Sequence, residues 1–164
     1  MSGAKVTSVI RVTTLSLLCF AVTVSSPVAQ SRPGDTLDIY VIDVEGGEAT
    51  LFVAPSGESM LVDTGWPGFD GRDADRIAAV AEQAGVTQID YLVVTHFHTD
   101  HMGGTEQLAN RLPVVHFIDH GITIDQGDRA RAAFEVYSNL RSNGTHRVVR
   151  PGDPVPVTGL DVRI

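Results

Sequence analysis

His96-Phe97-His98-Thr99-Asp100-His101 places four candidate metal ligands within six consecutive positions, a density that packing alone does not demand. For a chain of this composition the spacing arises by chance with a probability of roughly 7 in 10,000, so histidines serving only packing or surface are the weaker reading. The run ahead of it, Ile89-Asp90-Tyr91-Leu92-Val93-Val94-Thr95, is apolar and β-branched and predicts a buried strand that ends where the ligands begin. An extended continuation turns His96 and His98 to the same side, because side chains alternate with period two. Asp100 and His101, beyond a turn, are then free for a second ion. Imidazole nitrogen with carboxylate oxygen suits Zn2+, with Fe or Mn as alternatives. Behind the cluster, Gly103-Gly104 permits a close backbone approach or a positive-φ turn, and Thr105 is predicted to N-cap a helix through Glu106, Leu108 and Leu112.

Thr95 to Gly104, quoted whole as Thr95-His96-Phe97-His98-Thr99-Asp100-His101-Met102-Gly103-Gly104, resembles the signature loop of the metallo-β-lactamase superfamily. Met60-Leu61-Val62-Asp63-Thr64-Gly65 is similar to the short strand and Asp-Thr-Gly turn that precede that loop. Asp43-Val44-Glu45-Gly46-Gly47-Glu48-Ala49 resembles the first hairpin of the branch related to the hydrolase domain of bacterial DNA-uptake proteins, which carries Gly-Gln-Gly-Asp where this chain has Glu45-Gly46-Gly47-Glu48. The resemblance covers about residues 37 to 164. It implies an α/β fold, an αββα sandwich of which the first half is present, with a two-ion metal centre on its edge.

In that fold His96 and His98 serve the first ion and Asp100 and His101 the second. Further ligands, including a bridging aspartate and a final histidine, come from a second half. The chain therefore reads as the N-terminal part of a longer protein, expected to bind metal weakly and turn over little by itself. The chemistry implied is hydrolysis of an ester, amide, lactam or phosphodiester bond in a small-molecule substrate by a metal-held hydroxide. Asp100 is the candidate catalytic group, ligating and orienting the water. Asp63, at a strand end, is read as accepting a hydrogen bond from a ligating imidazole, against the alternative of a turn-forming Asx residue. Two other readings stay open: a mononuclear-iron oxidoreductase on the same fold, and a noncatalytic metal-binding or partner-binding domain.

Residues 1–31 have the shape of a secretory signal and polar leader: Lys5 and Arg11 precede an apolar stretch from Leu15 to Val24, followed by Ser25-Ser26-Pro27-Val28-Ala29. The apolar part is too short and too rich in Ser and Thr for a membrane span, so cleavage and export to a periplasmic or extracellular location are expected. The sole cysteine, Cys19, falls inside that stretch, which excludes disulfides and thiolate ligands from residues 32–164. Loss of residues 1–29 removes two of 12 basic residues and none of 20 acidic ones, moving the formal charge from −8 to −10. That excludes a general nucleic-acid surface, though bound divalent ions would still make the site locally positive. With 43% hydrophobic residues in 164, one domain with a real core is expected over 32–164. Oligomeric state has no signature in the chain.

The remaining elements follow from periodicity. Strands are predicted at Leu37 to Val44, Ala49 to Val53 and Ser59 to Val62, forming an antiparallel meander. The stripe Ile77, Val80, Ala81, Ala84 predicts a helix from Asp73 to Ala84 ended by Gly85. A strand at Val114 to Ile118, a helix from Asp128 to Arg141 stopped by Asn143-Gly144, and strands near 146 to 149 and from Leu160 complete the pattern. His120, after a predicted strand, is a candidate for lining the pocket, whereas His116 and His146 read as structural or solvent-facing. Glu45 and Glu48 read as charged hairpin residues, and Trp66 and Phe69 divide evenly between a substrate wall and plain packing.

Overall fold

The computed structural model describes residues 36–164; the expected signal and leader lie outside the described residues. Three short strands open the fold: β1 (Asp38–Val41), β2 (Thr50–Val53) and β3 (Ser59–Val62). They pair antiparallel in register Tyr40 to Leu51 and Leu51 to Leu61, the meander that the turn residues predict. A 3-10 turn (Phe69–Gly71) leads into α1 (Arg72–Gln83), then β4 (Ile89–Val93), α2 (Thr99–Met102), α3 (Thr105–Ala109) and β5 (Val114–Asp119). After these come α4 (Asp128–Arg141), β6 (Thr145–Val148), β7 (Pro154–Val155) and β8 (Val162–Arg163).

β3 to β6 are parallel neighbours in chain order, giving one six-stranded sheet, β1-β2-β3-β4-β5-β6. Right-handed crossovers that always step the same way along a sheet place their helices on one face. Accordingly Ala74, Ile77 and Ala81 of α1, Leu108 of α3 and Tyr137 of α4 share one core with Leu51, Leu61 and Leu92 of the sheet. The opposite face carries a smaller cluster in which Met60, Val93 and Ile118 meet Val149, Val155 and Val157. There β7 and β8 form a separate antiparallel ribbon. The β7 strand has no counterpart in the sequence reading, since two residues are too few to show a period.

Two local expectations, the cap of α3 and the length of the first strand, need correction. Thr105 does not cap α3: Gly104 holds that position, and the Thr105 hydroxyl donates instead to the Met102 carbonyl at 2.6 Å. Of the two roles open to the glycines, positive φ is not used, with Gly103 at −67° and Gly104 at −75°. Their role is close approach, since a Cβ on Gly104 would overlap the Thr64 carbonyl and one on Gly103 the Pro67 ring. The first strand is also shorter than expected, stopping at Val41, while Ile42 and Val44 continue into the core beyond it.

The parallel strands β3, β4 and β5 end side by side. Open α/β sheets bind ligands at the carboxyl ends of such strands, and here those ends carry Asp63, the 95–101 loop and Asp119-His120.

Candidate metal centre

Each group at this edge is placed by a short local device. His98 is extended at φ −79° and ψ 153° and directly precedes α2, so the chain turns after His98 and before Asp100. The His96 and His98 rings meet edge-on at 4.4 Å between centroids, and the His96 and His101 rings lie 4.0 Å apart. Phe97, between the two histidines, points the opposite way and is buried at 4% exposure, as period-two alternation requires.

Asp63 is fully buried and sits in the left-handed region at φ 58°, a conformation that costs a non-glycine residue about 1 kcal/mol or more. Its partners supply the compensation. Oδ1 accepts the Thr95 amide at 2.8 Å, while Oδ2 accepts the Thr95 hydroxyl at 2.6 Å and lies 2.7 Å from His101 Nδ1. A carboxylate only accepts, which makes Nδ1 of His101 the donor; in the neutral ring the lone pair is then on Nε2. That Nε2 faces Asp100 Oδ2 at 3.5 Å. Thr95 acts the same way on its neighbour: its single proton is committed to Asp63, so its oxygen is free to accept from His96 Nδ1 at 3.2 Å. The His96 pKa is lowered, first by burial and then by the nearby His101 and His98, against the opposing pull of Asp63 and Asp100. A neutral imidazole with its lone pair exposed is the form that binds metal.

Three imidazoles and a carboxylate with these tautomers are a donor set that fits a borderline divalent ion. The convergence is pairwise: among the described residues no three His, Cys, Asp or Glu side chains meet as one metal-holding group. Pairs are what the sequence reading assigns to each ion, and a pair fills half of a four-coordinate sphere.

The loop is pinned through its carbonyls. Thr64, fully buried, donates its amide to the His101 carbonyl at 2.6 Å, and Glu48 donates its amide to the Asp100 carbonyl at 3.2 Å. The Thr64 hydroxyl touches Thr105 Oγ1 at 3.0 Å. Thr64 and Thr95 carry no sequence signal beyond their places beside a motif, and the cap signal at Thr105 does not point to this contact.

His120 packs its ring on Phe97 at 4.4 Å and lines a cleft of about 470 Å³ together with Thr95, Asp119 and apolar residues such as Val94 and Val155. It stands outside the imidazole group. His116 stacks on Tyr91 at 5.1 Å, away from the cluster. Glu45 joins Arg72 and Arg76 in exposed ion pairs, and Glu48 accepts the Thr50 hydroxyl at 2.6 Å. The Trp66 amide is held by Asp73 at 2.8 Å. Phe69 is 64% exposed with the Arg72 guanidinium 4.5 Å above its ring.

Asp119 is the residue that sequence reasoning missed. Its carboxylate, fully enclosed, accepts from Tyr137 Oη at 2.8 Å, Arg141 at 2.6 Å and the Gly121 amide at 2.7 Å, and lies 3.0 Å from His146 Nε2. Burial alone would raise its pKa; the hydrogen bonds from His146, Tyr137, Arg141 and Gly121 more than offset this and hold it below the ordinary carboxylate value. The same burial, reinforced by the charge of Asp119, drives the Tyr137 phenol well above its usual range.

Comparison with known proteins gives a consistent outcome. A family model described as the metallo-beta-lactamase superfamily matches residues 43–164. A UPF0173 metal-dependent hydrolase of Staphylococcus saprophyticus is 34% identical over 65 residues, and one of Staphylococcus epidermidis is 35% identical over the same length. Each alignment covers 40% of this chain and 25% of the relative, so the matched part spans a quarter of those proteins. Among solved structures, a subclass B3 metallo-beta-lactamase isolated from a soil metagenome library has a TM-score of 0.51 at 22% identity, covering 75% of this chain and 47% of that one. That likeness establishes the fold. Among the described residues no helix is long and apolar enough to cross a membrane.

Proposed function

The chain belongs to the metallo-beta-lactamase superfamily, and from that premise we propose that it forms the ligand-loop part of a metal-dependent hydrolase, with two zinc ions, acting on an ester, amide, lactam or phosphodiester bond of a small molecule. The metal-dependent hydrolases to which it is similar support the coarse activity. The observation that carries the site assignment is the pairing of His101 Nε2 with Asp100 Oδ2 while Asp63 holds the Nδ1 proton.

His96 and His98 would hold one ion, Asp100 and His101 the other. When bound, such ions lower the pKa of water from 15.7 to about 7 and stabilise charge developing on the substrate. The protein's own groups do the rest. Asp63 keeps the His101 proton on Nδ1, and Thr95 does so for His96, so neither ring must change tautomer during a cycle. Asp100 would ligate through one carboxylate oxygen and leave the other to accept a hydrogen bond from the attacking water. Thr64 and Glu48 fix the carbonyls of His101 and Asp100, which keeps the loop from recoiling as charge moves. His120 and the adjoining apolar cleft supply a wall for the substrate. Residues 1–31 are read as an export signal and polar leader, cleaved after Ala29 or Ser31.

The test is elemental analysis of the complete protein that contains this chain, combined with a panel of ester, lactam and phosphodiester substrates, before and after chelation. Bound zinc and chelator-sensitive hydrolysis are expected, with His96→Ala and Asp100→Ala each abolishing turnover while far-UV circular dichroism is unchanged. A folded protein free of metal and indifferent to chelators, or near-normal rates in either variant, overturns the proposal. A single bound iron with oxygen consumption would assign the oxidoreductase chemistry instead.

A further inference from the structure

We infer that Asp119 is a positioning residue for the His96/His98 pair, acting through Phe97. The inference rests on the metal-binding reading of that pair. The contacts are continuous. Asp119 takes the Tyr137 hydroxyl at 2.8 Å and Arg141 at 2.6 Å. The Arg141 guanidinium lies over the rings of Phe134 and Tyr137 at 5.2 and 5.4 Å, and it also donates to the Gly121 carbonyl at 3.0 Å. Phe134 and Tyr137 in turn pack on Phe97 at 4.7 and 5.7 Å, and His120 closes the third side at 4.4 Å. Phe97 is thus enclosed by side chains whose positions are set, directly or through one neighbour, by a single carboxylate.

The extended backbone makes this enclosure matter to the site. In an extended segment the ring of Phe97 and the rings of His96 and His98 lie on opposite sides of one rigid strip. A shift or roll of Phe97 is therefore passed to both imidazoles. Interiors are close-packed, so a side chain bounded on three sides cannot drift unless its walls move. Asp119 forms those walls by collecting donors from α4, β6 and the turn at Gly121 at the end of β5. A residue that merely docked α4 would need only its Arg141 and Tyr137 bonds; Asp119 adds the Gly121 amide, which sets the turn that carries His120.

Co2+ titration of the full chain, read by the d–d absorption of the bound ion, tests the inference. Asp119→Asn should weaken Co2+ binding by about tenfold, the lower end of what groups behind metal ligands contribute, and should alter the band envelope. Tyr137→Phe, which removes one oxygen and keeps the ring on Phe97, should do the same to a smaller degree and serves if Asp119→Asn does not fold. Phe97→Leu should reproduce the loss, and the Asp119→Asn/Phe97→Leu double variant should show less than the sum of the two, because both act along one path. Ile77→Val, in the α1 core, lowers stability by a different route and should leave Co2+ affinity and spectrum intact. Wild-type affinity in both Asp119→Asn and Tyr137→Phe, full additivity in the double variant, or an equal loss in Ile77→Val overturns the inference. A wild-type chain that takes up no Co2+ defeats the metal reading itself and this inference with it.

Discussion

Two buried aspartates at the same sheet edge behave differently. Asp63 ends β3 and Asp119 ends β5, with the ligand loop leaving β4 between them, and both side chains are 0% exposed. Asp63 spends its oxygens on the loop itself, on Thr95 and His101. Asp119 spends its oxygens on the scaffold, on Tyr137, Arg141, His146 and the Gly121 amide. Asp119 has a guanidinium partner for its charge, whereas the closest groups around Asp63 are hydroxyl, amide and imidazole. Burial therefore does not distinguish a carboxylate that touches the ligand loop from one that reaches it only through the scaffold; the identity and charge of the partners do. An ion held by His101 would complete the electrostatics of Asp63, while Asp119 is already complete.

The contrast can be broken most directly at Asp119. Replacing it with Ala leaves Arg141 and Tyr137 buried without their acceptor and should cost about 3–5 kcal/mol in urea unfolding; a loss under about 1 kcal/mol would mean that the network contributes little. Asp63→Asn should invert the pattern, lowering metal affinity by about 10–100-fold in calorimetric titration with the smaller loss of stability. Were Asp63→Asn to unfold the protein while sparing metal binding, the two aspartates would have to exchange roles. Thr95→Val sharpens the same contrast, since it removes one hydrogen bond to a charged group, about 1.5 kcal/mol, and should loosen metal binding less than Asp63→Asn does.

The smallest effect is in acid. Because Asp119 is held below its ordinary value when folded, the unfolded chain takes up this proton first, near pH 3.9. The stability it contributes is complete above that pH and is lost as pH falls through the folded value. Asp119→Asn should therefore flatten the decline of Tm below about pH 4, and a decline parallel to wild type would trace the acid sensitivity to other carboxylates.

Much of the frame is legible in the chain. The α4 boundaries, the α1 stripe and the position of β4 follow from 3.6-residue and two-residue periods, because burial direction is a local property of a helix or strand. The same alternation accounts for His96 and His98 sharing a side with Phe97 turned away, and the Asp-Thr-Gly turn marks Asp63 as a residue at the site. What periodicity cannot reach is which polar groups meet across the fold. Asp63 and His101 are 38 residues apart, and Asp119 gathers partners 18, 22 and 27 residues away.

The chain by itself determined the candidate donor set, the strand that delivers it and the helices that cover the sheet. Only the tertiary structure decided that His101 is the imidazole Asp63 holds, that Thr95 sits on His96, that Thr105 serves a carbonyl rather than a helix end, and that Asp119 joins β5, β6 and α4. Periodicity reports which way a side chain faces, whereas a hydrogen bond requires two atoms within about 3 Å, a condition met only once separate elements are packed together.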